Sequence, residues 1–87
     1  MIVIVGLDEN RAPLVRRRFP KLRFRALSRD ASNRADYSPS AVHVVLVRCV
    51  NHSITDRIRR RVPKGQVYYC HSGITGLLEL LANLKGA

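Results

Sequence analysis

The sequence predicts an α/β fold: one small three-layer domain with helices on both faces of a four-stranded, mainly parallel sheet in the order 2-1-3-4. Three observations carry this. Short runs of branched aliphatics alternate with helical patterns along the chain. The first and third runs, Ile2 to Val5 and Val42 to Val47, are apolar at nearly every position, as a strand buried on both faces requires. With 87 residues, 46% of them hydrophobic, the chain is long enough for one core and too short for two.

Each element follows from local chemistry. Ile2 to Val5 is a strand that Gly6 ends. Asp8, Glu9 and Asn10 offer helix caps, and Pro13 suits a first helical turn. The first helix is therefore expected over Asn10 to Phe19, stopped by Pro20. Leu22 to Leu27 alternates apolar and cationic residues and reads as an edge strand. Residues 28–40 read as a loop with one helical turn near Ala31 to Ala35. Val42 to Val47 follows as the second buried strand, with His43 at its entry. A helix is expected over Ser53 to Val62, capped by Asn51 or Ser53, with Ile54, Ile58 and Val62 as its apolar stripe. Gln66 to Cys70 is the fourth strand, and His71, Ser72 and Gly73 form a turn. Ile74 to Leu84 is a last, Leu-rich helix.

Right-handed crossovers turn this element order into a truncated doubly wound, Rossmann-like or flavodoxin-like sheet. The connections reverse direction between the first and third strands. A ligand crevice is expected at their carboxyl ends. Segments that follow the strands would then converge there: Asp8, Asn10, Arg11, Arg48, Asn51, His52, His71, Ser72 and Gly73. Free backbone N–H groups at helix starts favour an anion on such a rim. Gly6 stands alone rather than in a G-x-G-x-x-G run, and no Walker sequence occurs, which argues against a dinucleotide fold and an ATP-hydrolysing loop. Cys49, His52, Cys70 and His71 match no zinc-finger spacing, so no metal and no cofactor is expected. Two cysteines do not make a disulfide framework and suit reduced thiols in a cytoplasmic protein.

Charge is the unusual property. Sixteen Lys and Arg oppose six Asp and Glu, for a net charge of +10. Thirteen of the cations are Arg, whose guanidinium forks onto phosphate oxygens. They gather in Arg16, Arg17 and Arg18 on the first helix, Arg23 and Arg25 on the second strand, and Arg57, Arg59, Arg60 and Arg61 on the helix after the third strand. No acid falls between Asn10 and Arg29. The longest apolar runs are about five residues, against roughly 20 for a membrane span.

The expected function is therefore a non-catalytic domain that binds or accompanies nucleic acid, DNA or RNA, through phosphate contacts on one common basic side. Two alternatives stand beside it. One is a sensor or inhibitor domain that holds a nucleotide or other phosphate in the carboxyl-edge crevice. The other is an adaptor that docks an acidic protein. Hydrolase or transferase chemistry, if there is any, falls to the His52 and His71 rim. A homodimer is expected through the helix over Ile74 to Leu84, with Leu80 or Leu84 left outside the core.

Two segments carry a resemblance. Val47 to Ser53 reads V-R-C-V-N-H-S ahead of a basic helix, and Tyr69 to Leu77 reads Y-C-H-S-G-I-T-G-L ahead of a Leu-rich one. Together they resemble a group of small bacterial and phage proteins, domain-of-unknown-function family 2325. Its members carry a polar-His pair after a central strand, a Lys-containing helix and a Ser-Gly-aliphatic-Ser/Thr turn. Asn51-His52 and Ser72-Gly73-Ile74-Thr75 fit those positions. The likeness covers nearly the whole chain and is strongest from Ala41 onward. It implies a Rossmann-like fold and a site around His52 and Ser72, and no particular reaction. Leu7 stands where a second small residue is frequent, which weakens the case for a tight phosphate loop. Arg dominates the basic helix, which points toward nucleic acid.

Overall fold

The computed structural model describes residues 1–86. Four parallel strands, β1 (Ile2–Val5), β2 (Phe24–Leu27), β3 (Val42–Leu46) and β4 (Val67–Cys70), form one sheet in the order β2-β1-β3-β4. Four helices surround it: α1 (Ala12–Arg18), α2 (Arg29–Arg34), α3 (His52–Arg61) and α4 (Gly73–Gly86). The class, the strand order and the parallel sense are those the aliphatic runs predict.

The central strands need two covers because their side chains alternate between faces. Ile4, Val44, Leu46 and Cys70 pack on one side with Ala12 and Val15 of α1 and Leu77 and Leu81 of α4. Val5, Val45 and Leu27 pack on the other with Ile54, Ile58 and Val62 of the α3 stretch and with Tyr37. Each fully buried aliphatic contributes about 2 kcal/mol of transfer free energy. The resulting layers are α1 with α4, the sheet, and α2 with α3.

Several boundaries differ from the sequence reading. Helix α1 starts at Ala12 rather than Asn10 because the Asp8 carboxylate accepts from Arg11 N at 2.9 Å and holds the preceding turn. Strand β2 starts at Phe24, two residues after Leu22. The segment read as a loop with one helical turn holds the six-residue helix α2. Ser28 caps it, accepting from Ala31 N at 3.2 Å, and Ser32 Oγ donates back to Ser28 O at 2.7 Å. Tyr37 Oη donates to Ser32 O at 2.6 Å and pins the end of α2 to the core. After β3 the chain makes a 3-10 turn over Val47–Cys49. Helix α4 begins at Gly73, whose φ of +73° is the left-handed region that glycine suits.

Neither Leu80 nor Leu84, one of which the sequence reading places outside the core, stands fully clear of it. Leu80 and Leu84 are half-buried against the α1/α4 core, as are Ile74 and Leu78. The large apolar side chains that do face solvent are Met1, Leu14 and Tyr69.

His43 stands at the entry of β3, as its second residue. It is fully buried there, edge-on to Tyr37 with ring centroids 5.7 Å apart. Its Nδ1 lies 2.9 Å from Ala41 O. A carbonyl can only accept, so Nδ1 carries the hydrogen and Nε2 presents a lone pair. Nε2 has no partner among the described residues. Burial lowers the His43 pKa, and the Ala41 carbonyl opposes this only in part.

Two predictions follow from this packing. The first concerns His43. Its stability contribution is complete above the ordinary histidine pKa of about 6.5 and is lost as pH falls, because the unfolded chain takes up a proton that the fold refuses. Urea unfolding at pH 7.5 and 5.5 should show a decline approaching about 1.4 kcal/mol per pH unit from this group. His43→Leu should remove that part of the decline; an unchanged pH dependence would contradict it. The second concerns Gly6, whose φ is +96°. A Cβ there would stand 3.0 Å from Cys49 Cβ and 3.1 Å from Val50 Cγ1. Gly6→Ala should cost on the order of 2 kcal/mol in the same assay.

Candidate phosphate site and basic faces

The crevice expected between β1 and β3 is filled. The 3-10 turn after β3 folds back over the end of β1, and Cys49 and Val50 occupy the space that a side chain at Gly6 would need. A cavity of about 510 Å³ opens one strand further along, between the carboxyl ends of β3 and β4 and the start of α3. Asn51, His52, Arg59, Tyr69 and His71 line it, over an apolar floor of Val47 and Val50.

Periodicity explains this set. His52, Thr55 and Arg59 recur at intervals of three and four along α3 and so share one helix face. Tyr69 and His71 are two apart and point to the α3 side of β4. Asn51 is the cap of α3, its Oδ1 accepting from Ile54 N at 3.0 Å, and the Thr55 hydroxyl donates to His52 O at 2.9 Å. His52, His71 and Arg59 keep exposed side chains at the mouth. No carboxylate lines the cavity.

The predicted rim constellation is thereby divided. Asn51, His52 and His71 come together. Asp8, Asn10, Arg11 and Arg48 do not line the cavity. The Asp8 carboxylate is engaged by Arg11 N. Ser72 does not line that cavity; it lies beyond the end of β4 in a shallow groove with Cys70, Gly76 and Glu79, which Tyr69 and His71 also border. Gly73 serves the turn into α4. Arg59 and Tyr69 belong to the cavity although neither stood among the rim residues. The three- and four-residue spacing from His52 is the signal that finds Arg59.

Cys70 is buried, its Sγ 3.5 Å from Gly73 O, and Cys49 is half-buried against the α1/α4 core. Among the described residues no cluster of three His, Cys, Asp or Glu could hold a metal ion.

The arginines do not share one side, contrary to the sequence expectation. The α1 group, Arg16, Arg17 and Arg18, lies on the layer opposite α3 with its Arg57, Arg59, Arg60 and Arg61. The sheet separates them because α1 and α3 follow strands on opposite sides of the topological switch. Arg16 sits 5.6 Å from the centre of the Phe24 ring and, with Arg25 and Glu9, lines a second cavity of about 710 Å³ beside β2. Arg23 and Arg25 are exposed on that edge. The α2–α3 layer is the denser side: these two helices hold six arginines against Asp30 and Asp56.

Arg57 has a structural task. Its Nη1 donates to Asn33 O at 2.8 Å and ties α3 to the end of α2. Its charge also opposes the rise that burial imposes on the Tyr37 pKa. Only one ion pair forms among the described residues, Arg59 with Asp56 at 3.8 Å, and it is exposed. Such a pair is worth little.

Comparison with protein-family models, with curated proteins and with solved structures gave no match. No helix of the described residues is long and apolar enough to cross a membrane.

Arg57→Ala should lower stability by about 1 kcal/mol, the size of a lost charged hydrogen bond after partial solvent replacement. Arg60→Ala should stay within about 0.5 kcal/mol of the parent. Equal effects in chemical denaturation would show that the α2–α3 tie contributes nothing.

Proposed function

We propose that this protein is a non-catalytic nucleic-acid-binding domain that contacts phosphates through its α2–α3 layer. The observation behind this is the unmatched charge on that layer. Arg34, Arg60 and Arg61 are exposed and Arg59 meets one exposed carboxylate, while Arg57 fastens the two helices together. A mixed surface would intersperse both signs. Unpaired guanidinium groups gathered on one layer repel one another, and a polyphosphate relieves that repulsion while releasing its own counterions.

The mode follows from the shape. Arg60 and Arg61 project from the outside of a helix whose apolar stripe is already used in the core, so the face meets a backbone without inserting. Tyr37 is buried and Phe24 carries Arg16, which leaves Tyr69 as the exposed ring. Contacts are then mainly to phosphates and carry little sequence preference. The α1 arginines form a separate, weaker face, since one straight duplex does not reach both layers. The same charge would also attract an acidic protein, but a regular polyanion matches consecutive helix-surface arginines better than a folded acidic surface, where charges alternate with neutral groups.

Fluorescence anisotropy with a short duplex should show affinity falling with salt, with a log–log slope of about −0.9 for each phosphate neutralised. Replacing Arg59, Arg60 and Arg61 together by Ala should reduce the steepness by roughly two to three units. The Arg16, Arg17, Arg18 triple variant should lose less. Absence of binding at low salt would reject the reading, and equal losses from both triples would reject the assignment to α3.

A further inference from the structure

The convex arginine face leaves the cavity beside it unexplained. Arg59 belongs to both: it stands on α3 among the outer arginines and also lines the cavity with His52 and His71. Two imidazoles and a guanidinium therefore converge on one concavity whose lining includes no carboxylate. Asp56 pairs with Arg59 but lies outside that lining, and its side chain is half exposed. The remaining wall is Val47, Val50 and Tyr69. Tyr69 keeps 39% of its surface exposed, an open ring next to the cationic groups. A volume of about 510 Å³ lies within the range of organic-ligand sites.

We infer that this cavity takes the terminal phosphate monoester of a nucleotide, carried on the end of an oligonucleotide or on a free mononucleotide. A monoester bears up to two negative charges and three acceptor oxygens, which suits three donor side chains from two elements. A diester within a strand bears one charge and continues in both directions, which suits the open arginine face instead. The apolar wall and the Tyr69 ring give the attached base a surface to stack on. For the oligonucleotide source the inference rests on the function proposed above; for the free nucleotide it stands alone.

The test uses three probes on the whole protein. Two are a 12-nucleotide single-stranded DNA with a terminal phosphate and the same strand with hydroxyl ends. The third is adenosine monophosphate, followed by amide chemical shifts. The phosphorylated strand should bind roughly tenfold tighter than the hydroxyl-ended one, the ratio that about 1.4 kcal/mol represents. In the His52→Gln/His71→Gln variant, checked for folding by circular dichroism, that ratio should fall to one. Adenosine monophosphate should shift the amides of Asn51, His52, Tyr69 and His71 if the free nucleotide is also a ligand. Equal affinity for both strands, with no shifts from the mononucleotide, overturns the cavity assignment and leaves the arginine face intact. Failure of both strands to bind overturns the nucleic-acid reading, and the mononucleotide then decides the cavity by itself. A preference for the phosphorylated end that survives the double variant places the end elsewhere and also overturns the inference.

Discussion

The pairing of β1 with β3 sets everything else in this molecule. Ile4, Val5, Val44 and Val45 are completely buried, two facing each way, in strands of four and five residues. Such a pair cannot stay wet on either face, so it demands a helical layer on both. A one-residue slip in the register would exchange the two faces and place the wrong side chains against each layer. The crossover hand then decides which helix goes where: α1 and α4 to one side, α2 and α3 to the other. Both candidate surfaces descend from that partition. It divides the arginines into two groups, and it brings the start of α3 beside the end of β4, where His52 and His71 line one cavity.

Much of this is legible in the residues, for a physical reason. Runs such as I-V-I-V and V-V-L-V have few alternatives to a doubly covered strand, and short connections with right-handed crossovers leave few sheet orders. Asn51 as the cap of α3 is equally local, since its amide reaches Ile54 N within one turn. The features that escape depend on contacts between distant segments. Helix α2 has no apolar stripe to announce it and is held by a Ser28 cap and a Tyr37 anchor. His43 looks polar and terminal in the sequence, yet the packing around β3 closes over it. The switch-point crevice looks open until Cys49 and Val50, more than forty residues away, are seen against Gly6.

The division of the arginines teaches the sharper lesson. Counting charges along the chain yields a sum, and the sum carries no direction. Direction comes from the layer to which each helix is assigned, and that depends on the handedness of the crossovers rather than on the arginines themselves. Arg57 and Arg59 show the same effect within one helix. They are two residues apart, so they point about 200° apart around the axis. One therefore reaches α2 and the other reaches the cavity at β4. An identical residue type thus serves as a fastener, a cavity wall and a solvent-facing charge within a single ten-residue helix.

Shape then separates two kinds of anion that charge alone does not distinguish. A helix exterior lined with guanidinium groups presents many equivalent donors and few constraints, so it favours a repeating backbone and pays little attention to where the strand ends. A concavity with His52 and Arg59 on α3 and His71 just past β4 holds fewer oxygens than the open face and admits a group attached at one point. Because Arg59 borders both, occupancy of one surface changes the field felt at the other. Neutralising Arg59 from the outside weakens the pull on an anion within, whereas a strand whose final phosphate enters the cavity satisfies both surfaces with one ligand. On the proposed reading, a strand end fits better than a separate strand and nucleotide bound together, since two independent anions would compete for the same guanidinium.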